Sequence, residues 1–171
     1  MPDLFEPVHA GDHVRGADDA DLELVMYGDF ECPFCAAAQG IVARVEKRLG
    51  ERLRIVFRHF PLESVHPHAR AAALASEAAA AQNAFWAFHD ALYAARGRLS
   101  DADLVGHARG VGLDTARVEA ELRDGTHAER VDHDLETGAA SGVTGTPAFF
   151  ANGTRVAGAF DAGSLVNALL A

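Results

Sequence analysis

Apolar positions gather into short runs near the two ends of the chain and into helical stripes between them. Leu22 to Tyr27 (LELVMY) is a short apolar run ending at Gly28, and it predicts a buried strand. Phe34, Ala38, Ile41, Val45 and Leu49 then recur at helical spacing. Pro33 suits the first turn of that helix, because it has no N–H to leave unpaired, and Gly50 supplies the stop. Leu53 to Phe60 (LRIVFRHF) has the β-branched and aromatic content of a second strand, ended by Pro61.

From about His66 to Ala140 the chain is rich in alanine and contains no convincing strand. It divides into several helices. Pro67 opens the first, and Asn83 is a cap for a second that carries Phe85, Trp86, Phe88 and Leu92. Ser100 with Asp103 caps a third, Asp114 a fourth, and Thr126 with Glu129 forms a capping box for a fifth. Strand chemistry returns at Pro147–Ala151 and Thr154–Ala157, joined by the hairpin signal Asn152-Gly153. Asp161 caps a last helix containing Leu165, Val166, Leu169 and Leu170. The expected organisation is an N-terminal arm over residues 1–20, a core over 21–65 and 141–171, and an all-helical insertion over 66–140.

Composition narrows the function. The 171 residues are 49% hydrophobic and 23% charged, which allows one well-buried domain and argues against disorder. A net charge of -10 argues against nucleic acid and against an anionic membrane surface. No apolar run approaches the ~20 residues of a membrane helix, so membrane insertion is not expected. Residues 1–21 lack a basic start followed by an apolar stretch. The expected location is therefore cytoplasmic, or extracytoplasmic if a signal has been removed; a removed partner domain is also open.

Two cysteines, Cys32 and Cys35, sit at the start of the first helix, directly after a strand. The first helical turn offers unpaired N–H groups and partial positive charge, so a thiolate at Cys32 should have a lowered pKa. Cys35 lies one turn later, facing the protein, and the spacing lets the two sulfurs meet in a small ring. Cys32 then attacks and Cys35 resolves the mixed disulfide. Two other readings stay open. The pair could be structural, or could bind zinc, with His59, His66 and His68 as the remaining ligands. No second Cys-x-x-Cys is present, and His66-Pro67-His68 also suits an ordinary helix start. Thr146-Pro147 begins a strand, where a proline is tolerated and is able to be cis.

The stretches Tyr27-Gly28-Asp29-Phe30-Glu31-Cys32-Pro33-Phe34-Cys35, Phe57–Leu62, His66–Ala69 and Gly142–Phe150, with Asp12–Gly16 ahead of them, together resemble the DsbA-like branch of the thioredoxin superfamily. The resemblance spans nearly the whole chain. It implies a bacterial α/β protein with a thioredoxin-like fold, an all-helical insertion between the second and third core strands, and a cis Thr146–Pro147 bond beside the cysteines. It also implies that the backbone at Thr146 pairs with a substrate peptide by strand addition, with Pro147, Pro33 and Phe34 completing the binding surface. Some members of this group are fused to sodium/proton antiporters. Two departures matter. The pair Pro33-Phe34 lacks the histidine of the strongest oxidants, which implies a less depressed Cys32 pKa. The position six residues before Cys32, often acidic in the family, is Met26. Strand parity aims Met26 at the site and Glu23 away from it. Asp29 and Glu31 are expected to face solvent near Cys32, where their charge would oppose its ionisation.

The function expected is thiol-disulfide exchange with protein or peptide dithiols, without cofactor or metal, in concert with an unidentified redox partner. One alternative is a redox-sensing or regulatory module, formerly fused to a membrane transporter. Another is a glutathione-dependent transferase or isomerase, against which Cys35 counts.

Overall fold

The computed structural model describes residues 3–158 and 160–171. The elements, in chain order, begin with β1 (His13–Gly16), β2 (Leu22–Gly28), α1 (Pro33–Leu49) and β3 (Leu53–His59). Five helices follow: α2 (Ala69–Ala80), α3 (Phe85–Ala94), α4 (Asp101–Gly110), α5 (Thr115–Asp124) and α6 (Ala128–Ala140). The chain closes with β4 (Ala148–Ala151), β5 (Thr154–Arg155) and α7 (Ala162–Leu170). This is the expected α/β thioredoxin-like architecture, with the helical block between β3 and β4. No described helix is long and apolar enough to cross a membrane.

One five-stranded sheet runs in the order β1-β3-β2-β4-β5. β2 and β3 are parallel, with Leu22 opposite Leu53 and Gly28 opposite His59. β4 runs antiparallel to β2, which sets Tyr27 opposite Ala148 and aims the start of β4 at the end of β2. Both central strands are covered on both faces, which is why they read as nearly continuous apolar runs. Alternation sends Leu24 and Met26 into the larger core with α1, α3 and α7, and Val25 and Tyr27 into a smaller one. At the β4–β5 turn, Asn152 and Gly153 both have positive φ (48° and 83°), as a type I′ hairpin requires.

Three local expectations change. Residues 13–16, read as part of an arm, form edge strand β1, paired antiparallel with β3. With one apolar residue in four, β1 is too short for an alternation pattern to show. Asn83 does not cap α3; it takes a left-handed turn conformation (φ 59°), and Ala84 precedes the helix without a side-chain cap. Thr126 likewise makes no capping box, because α6 starts after His127. The caps at Ser100, Asp114 and Asp161 form as expected.

The segment before β1 is fastened by Arg58. Its guanidinium is buried and forms an ion pair with Asp12 at 2.9 Å. It also donates to the carbonyls of Glu6 and Pro7 and to the Tyr27 hydroxyl oxygen.

Candidate functional site

β2 delivers the chain to Gly28, and the turn Asp29–Glu31 leads into α1. Cys32 is the N-cap residue, extended at φ -72° and ψ 120°, with Pro33 in the first turn. Cys35 follows inside that turn. Both are buried free thiols. Cys32 Sγ lies 3.6 Å from the Thr146 carbonyl oxygen, to which the sulfur donates only when protonated. The Thr146–Pro147 bond directly before β4 is cis.

The two sulfurs sit in opposite electrostatic situations. Cys32 has its pKa lowered to about 5, chiefly by a hydrogen bond from the Cys35 thiol and then by Thr146 and the N–H groups of Cys35 and Phe34. Those N–H groups belong to the first turn of α1, where donors lack helical partners. Cys35 is pushed far up, first by burial and then by its neighbour Cys32. The missing histidine in the motif therefore does not leave Cys32 with an ordinary thiol pKa.

Pro33 and Phe34 are on the surface beside Cys32, and Phe34 is 71% exposed. Phe34 was expected on the buried stripe of α1; the stripe instead runs through Cys35, Ala38, Val42 and Val45. A depression of about 390 Å³ is lined by Phe34, Ala37, Ile41, Thr146, Pro147 and Phe160. On the other side of the motif lies a cavity of about 830 Å³, bounded by Phe30, Cys32, Gln39, Tyr93 and Arg96 among others. Cys32, Pro33, Phe34, Cys35, Thr146 and Pro147 thus come together.

Asp29 corrects an expectation. It is buried, not solvated, and accepts from the N–H of Glu31 (2.7 Å), the N–H of Leu62 (2.9 Å) and His66 Nδ1 (2.8 Å). Burial disfavours a charged His66, but the Asp29 carboxylate outweighs it and Cys32 adds to the effect, so the His66 pKa is raised. Glu31 accepts from the backbone N–H of His68 at 3.2 Å. Sequence reasoning missed this cluster because 37 residues separate Asp29 from His66; Leu62 and His66 close on Asp29 only once β3 lies beside β2.

Two of the three histidines proposed as zinc ligands are committed elsewhere, His66 to Asp29 and His59 to Glu77. His59 is buried and shares the Glu77 carboxylate with His13, at 2.8 and 2.6 Å. These hydrogen bonds outweigh the burial of Glu77 and hold its pKa low. Among the described residues, the groups able to converge on a metal ion contain no cysteine. Met26 faces the site as its parity required: it is buried, and its Sδ accepts from Gln39 Nε2 at 3.8 Å.

Residues 9–170 match a family model described as Thioredoxin. Among curated relatives, an Na(+)/H(+) antiporter NhaA 1 of Salinispora arenicola is 44% identical over 160 residues, covering 93% of this chain and 24% of that protein. An Na(+)/H(+) antiporter NhaA of Herminiimonas arsenicoxydans is 44% identical over 151 residues, covering 88% and 24%. The chain spans about a quarter of the length of these relatives. Among solved structures, a thioredoxin-like oxidoreductase from Silicibacter pomeroyi superposes with a TM-score of 0.84 at 26% identity, covering 94% of this chain and 91% of that one. Oxidised BdbD from Bacillus subtilis gives 0.89 at 22% identity, covering 99% and 96%.

Proposed function

The chain belongs to the thioredoxin family, and from that premise we propose that it is a DsbA-like member that exchanges disulfides with protein or peptide dithiols through Cys32 and Cys35. The observation that carries this reading is the asymmetry of the two thiols. One is a thiolate at neutral pH at a helix start, and the other is a buried thiol held as S–H. A thiolate is the nucleophile of disulfide exchange.

Starting from the reduced protein, the Cys32 thiolate attacks a substrate disulfide. A Cys32–substrate disulfide forms, and the first substrate sulfur leaves as a thiolate. Cys35 loses its proton and attacks the Cys32 sulfur. The mixed disulfide breaks, the second substrate sulfur leaves, and the Cys32–Cys35 disulfide remains. The substrate has gained two electrons and the protein has lost two. The reverse sequence oxidises a dithiol, and the redox partner sets the direction. The Thr146 backbone is the segment to which an extended substrate would add as a strand, beside Pro147. Pro33 and the exposed ring of Phe34 form the wall next to it, and a peptide side chain would lie in the depression between Phe34 and Pro147.

Cys35→Ala should retain substrates as mixed disulfides, and Cys32→Ala should abolish capture. Mixed disulfides on the Cys32→Ala protein would reverse the assigned roles. A second reading has its own support, because the curated relatives are antiporters of which this chain spans only about a quarter. In that reading the same cysteines sense redox state for a transporter. Negligible turnover on protein disulfides, with a normal Cys32–Cys35 couple, would favour it.

A further inference from the structure

Tyr93, on α3, is a buried titratable group that the exchange scheme does not use. Its ring packs against Phe30 and His89, each with centroids 5.0 Å away. Its hydroxyl is buried with no hydrogen-bond partner, which is uncommon and costly. Cys35 is near enough to raise the pKa of that hydroxyl, and Tyr93 lines the same cavity as Cys32. Gly28 makes the approach possible: a Cβ there would meet the Tyr93 oxygen at 3.0 Å and Met26 Cε at 3.1 Å. The end of β2 is thus bare where the phenol reaches beneath the cysteines.

We infer that Tyr93 is a catalytic residue whose O–H donates a hydrogen bond to the Cys35 sulfur as that sulfur becomes the resolving thiolate. The inference rests on the exchange reading of Cys32 and Cys35. In the reduced site Cys35 keeps its proton and donates a hydrogen bond to Cys32, so the phenol has no anion to serve. Once Cys32 is joined to substrate, Cys35 must ionise in a dry pocket. The groups around it are few. Met26 is a thioether. The Asp29 carboxylate already accepts from two N–H groups and His66. Cys32 has lost its charge, and His89 is turned to Asp90 at 2.8 Å. Thr146 and the backbone of Asp29 also favour the Cys35 thiolate. The phenol, like Thr146 Oγ1, is a buried hydroxyl without a hydrogen-bond partner, and it adds a second side-chain donor. It is no base: burial first, then Cys35, Asp29 and Cys32, hold its ionisation well above the usual range. The Cys35 proton therefore goes to solvent. The new S–S bond forms between Cys35 and Cys32, and the departing substrate thiolate carries the electron pair and takes up a proton.

The test uses an aromatic disulfide that releases one coloured thiol when Cys32 attacks and a second when Cys35 resolves. Tyr93→Phe keeps the ring and removes the donor. The first release should keep its rate. The second should slow by about tenfold, the scale of one hydrogen bond to a charged group, and its pH profile should move to higher pH. A folded Tyr93→Phe protein with an unchanged second phase and pH profile overturns the inference. Replacing Tyr93 by 3,5-difluorotyrosine, a stronger donor, should quicken the second phase, and no change there also overturns it. If the unaltered protein releases only the first thiol, the exchange reading itself fails, a result separate from any effect of Tyr93.

Discussion

His66 Nδ1 lies 2.8 Å from Asp29 Oδ2, which fixes an imidazole with a raised pKa close to Cys32. The charge that Pro33-Phe34 does not supply from within the motif thus arrives from the loop before α2. Cys32 titrates at about 5, where His66 is still protonated. His66→Asn should therefore raise the Cys32 pKa, read as the pH midpoint of thiolate absorbance. Stability carries the matching signature. A raised folded pKa contributes stability that is complete below the ordinary histidine value and is lost as pH rises through the folded value. The variant should be less stable than the native protein in mild acid and converge on it in alkali. An unmoved thiolate midpoint would show that the imidazole serves the loop alone.

Alkylation kinetics should separate the two cysteines. The rate at Cys32 should rise through about pH 5 and grow little towards neutrality, because the thiolate is by then fully formed. Cys35 should stay unmodified in the folded protein, held protonated by burial and by Cys32. Mass mapping after brief iodoacetamide treatment reads both sites. Equal labelling of both at neutral pH would contradict the asymmetry.

Arg58 and Asp12 are each almost wholly buried, at 0% and 1% side-chain exposure. Arg58→Met leaves the Asp12 carboxylate without its partner and frees the carbonyls of Glu6 and Pro7. The cost should be about 3–5 kcal/mol by urea unfolding, the range for breaking one side of a buried pair. Adding Asp12→Leu should recover part of it. Burial works to raise the Asp12 pKa, but Arg58 outweighs it and the pKa is lowered. That contribution is present above the unfolded carboxylate pKa and is lost as pH falls through the folded value. The native protein should thus lose its advantage over Arg58→Met on acidification.

What was legible in the sequence was local. Leu22–Gly28 and Leu53–His59 announced themselves as strands by mostly apolar, β-branched and aromatic content, and Asn152-Gly153 by its turn chemistry. Ser100, Asp114 and Asp161 acted as caps because each bonds only three residues ahead. Asp29, by contrast, is polar and next to the motif, and nothing nearby in sequence shows the Leu62 N–H and His66 ring that bury it. Tyr93 was one aromatic among several on an apolar helix. Its meaning depends on Gly28, 65 positions earlier, leaving room beneath the cysteines. Arg58 was hidden in a strand whose other face is apolar, and its partners lie in a segment without pattern.

Met26 is where these threads meet. Its side chain is buried in the same core as Cys35, with Cε and the Tyr93 hydroxyl both packed against Gly28 and Sδ accepting from Gln39. A thioether there takes no proton, so resolution must proceed on hydrogen bonding and solvent alone. Met26→Glu would place a carboxyl between Gln39 Nε2 and the phenol, both donors. Burial would raise the pKa of that carboxyl towards neutrality, which suits a group that must accept the Cys35 proton and return it. The variant should be less stable, because a carboxyl replaces a buried apolar tip, yet release the second thiol of the coloured disulfide faster near neutral pH. The gain should fade at low pH, where the carboxyl is already protonated. It should persist in Met26→Glu combined with Tyr93→Phe, because accepting a proton and donating to the thiolate are separate tasks. A folded Met26→Glu protein with an unchanged or slower second release would show that the Cys35 proton already has an efficient route to water.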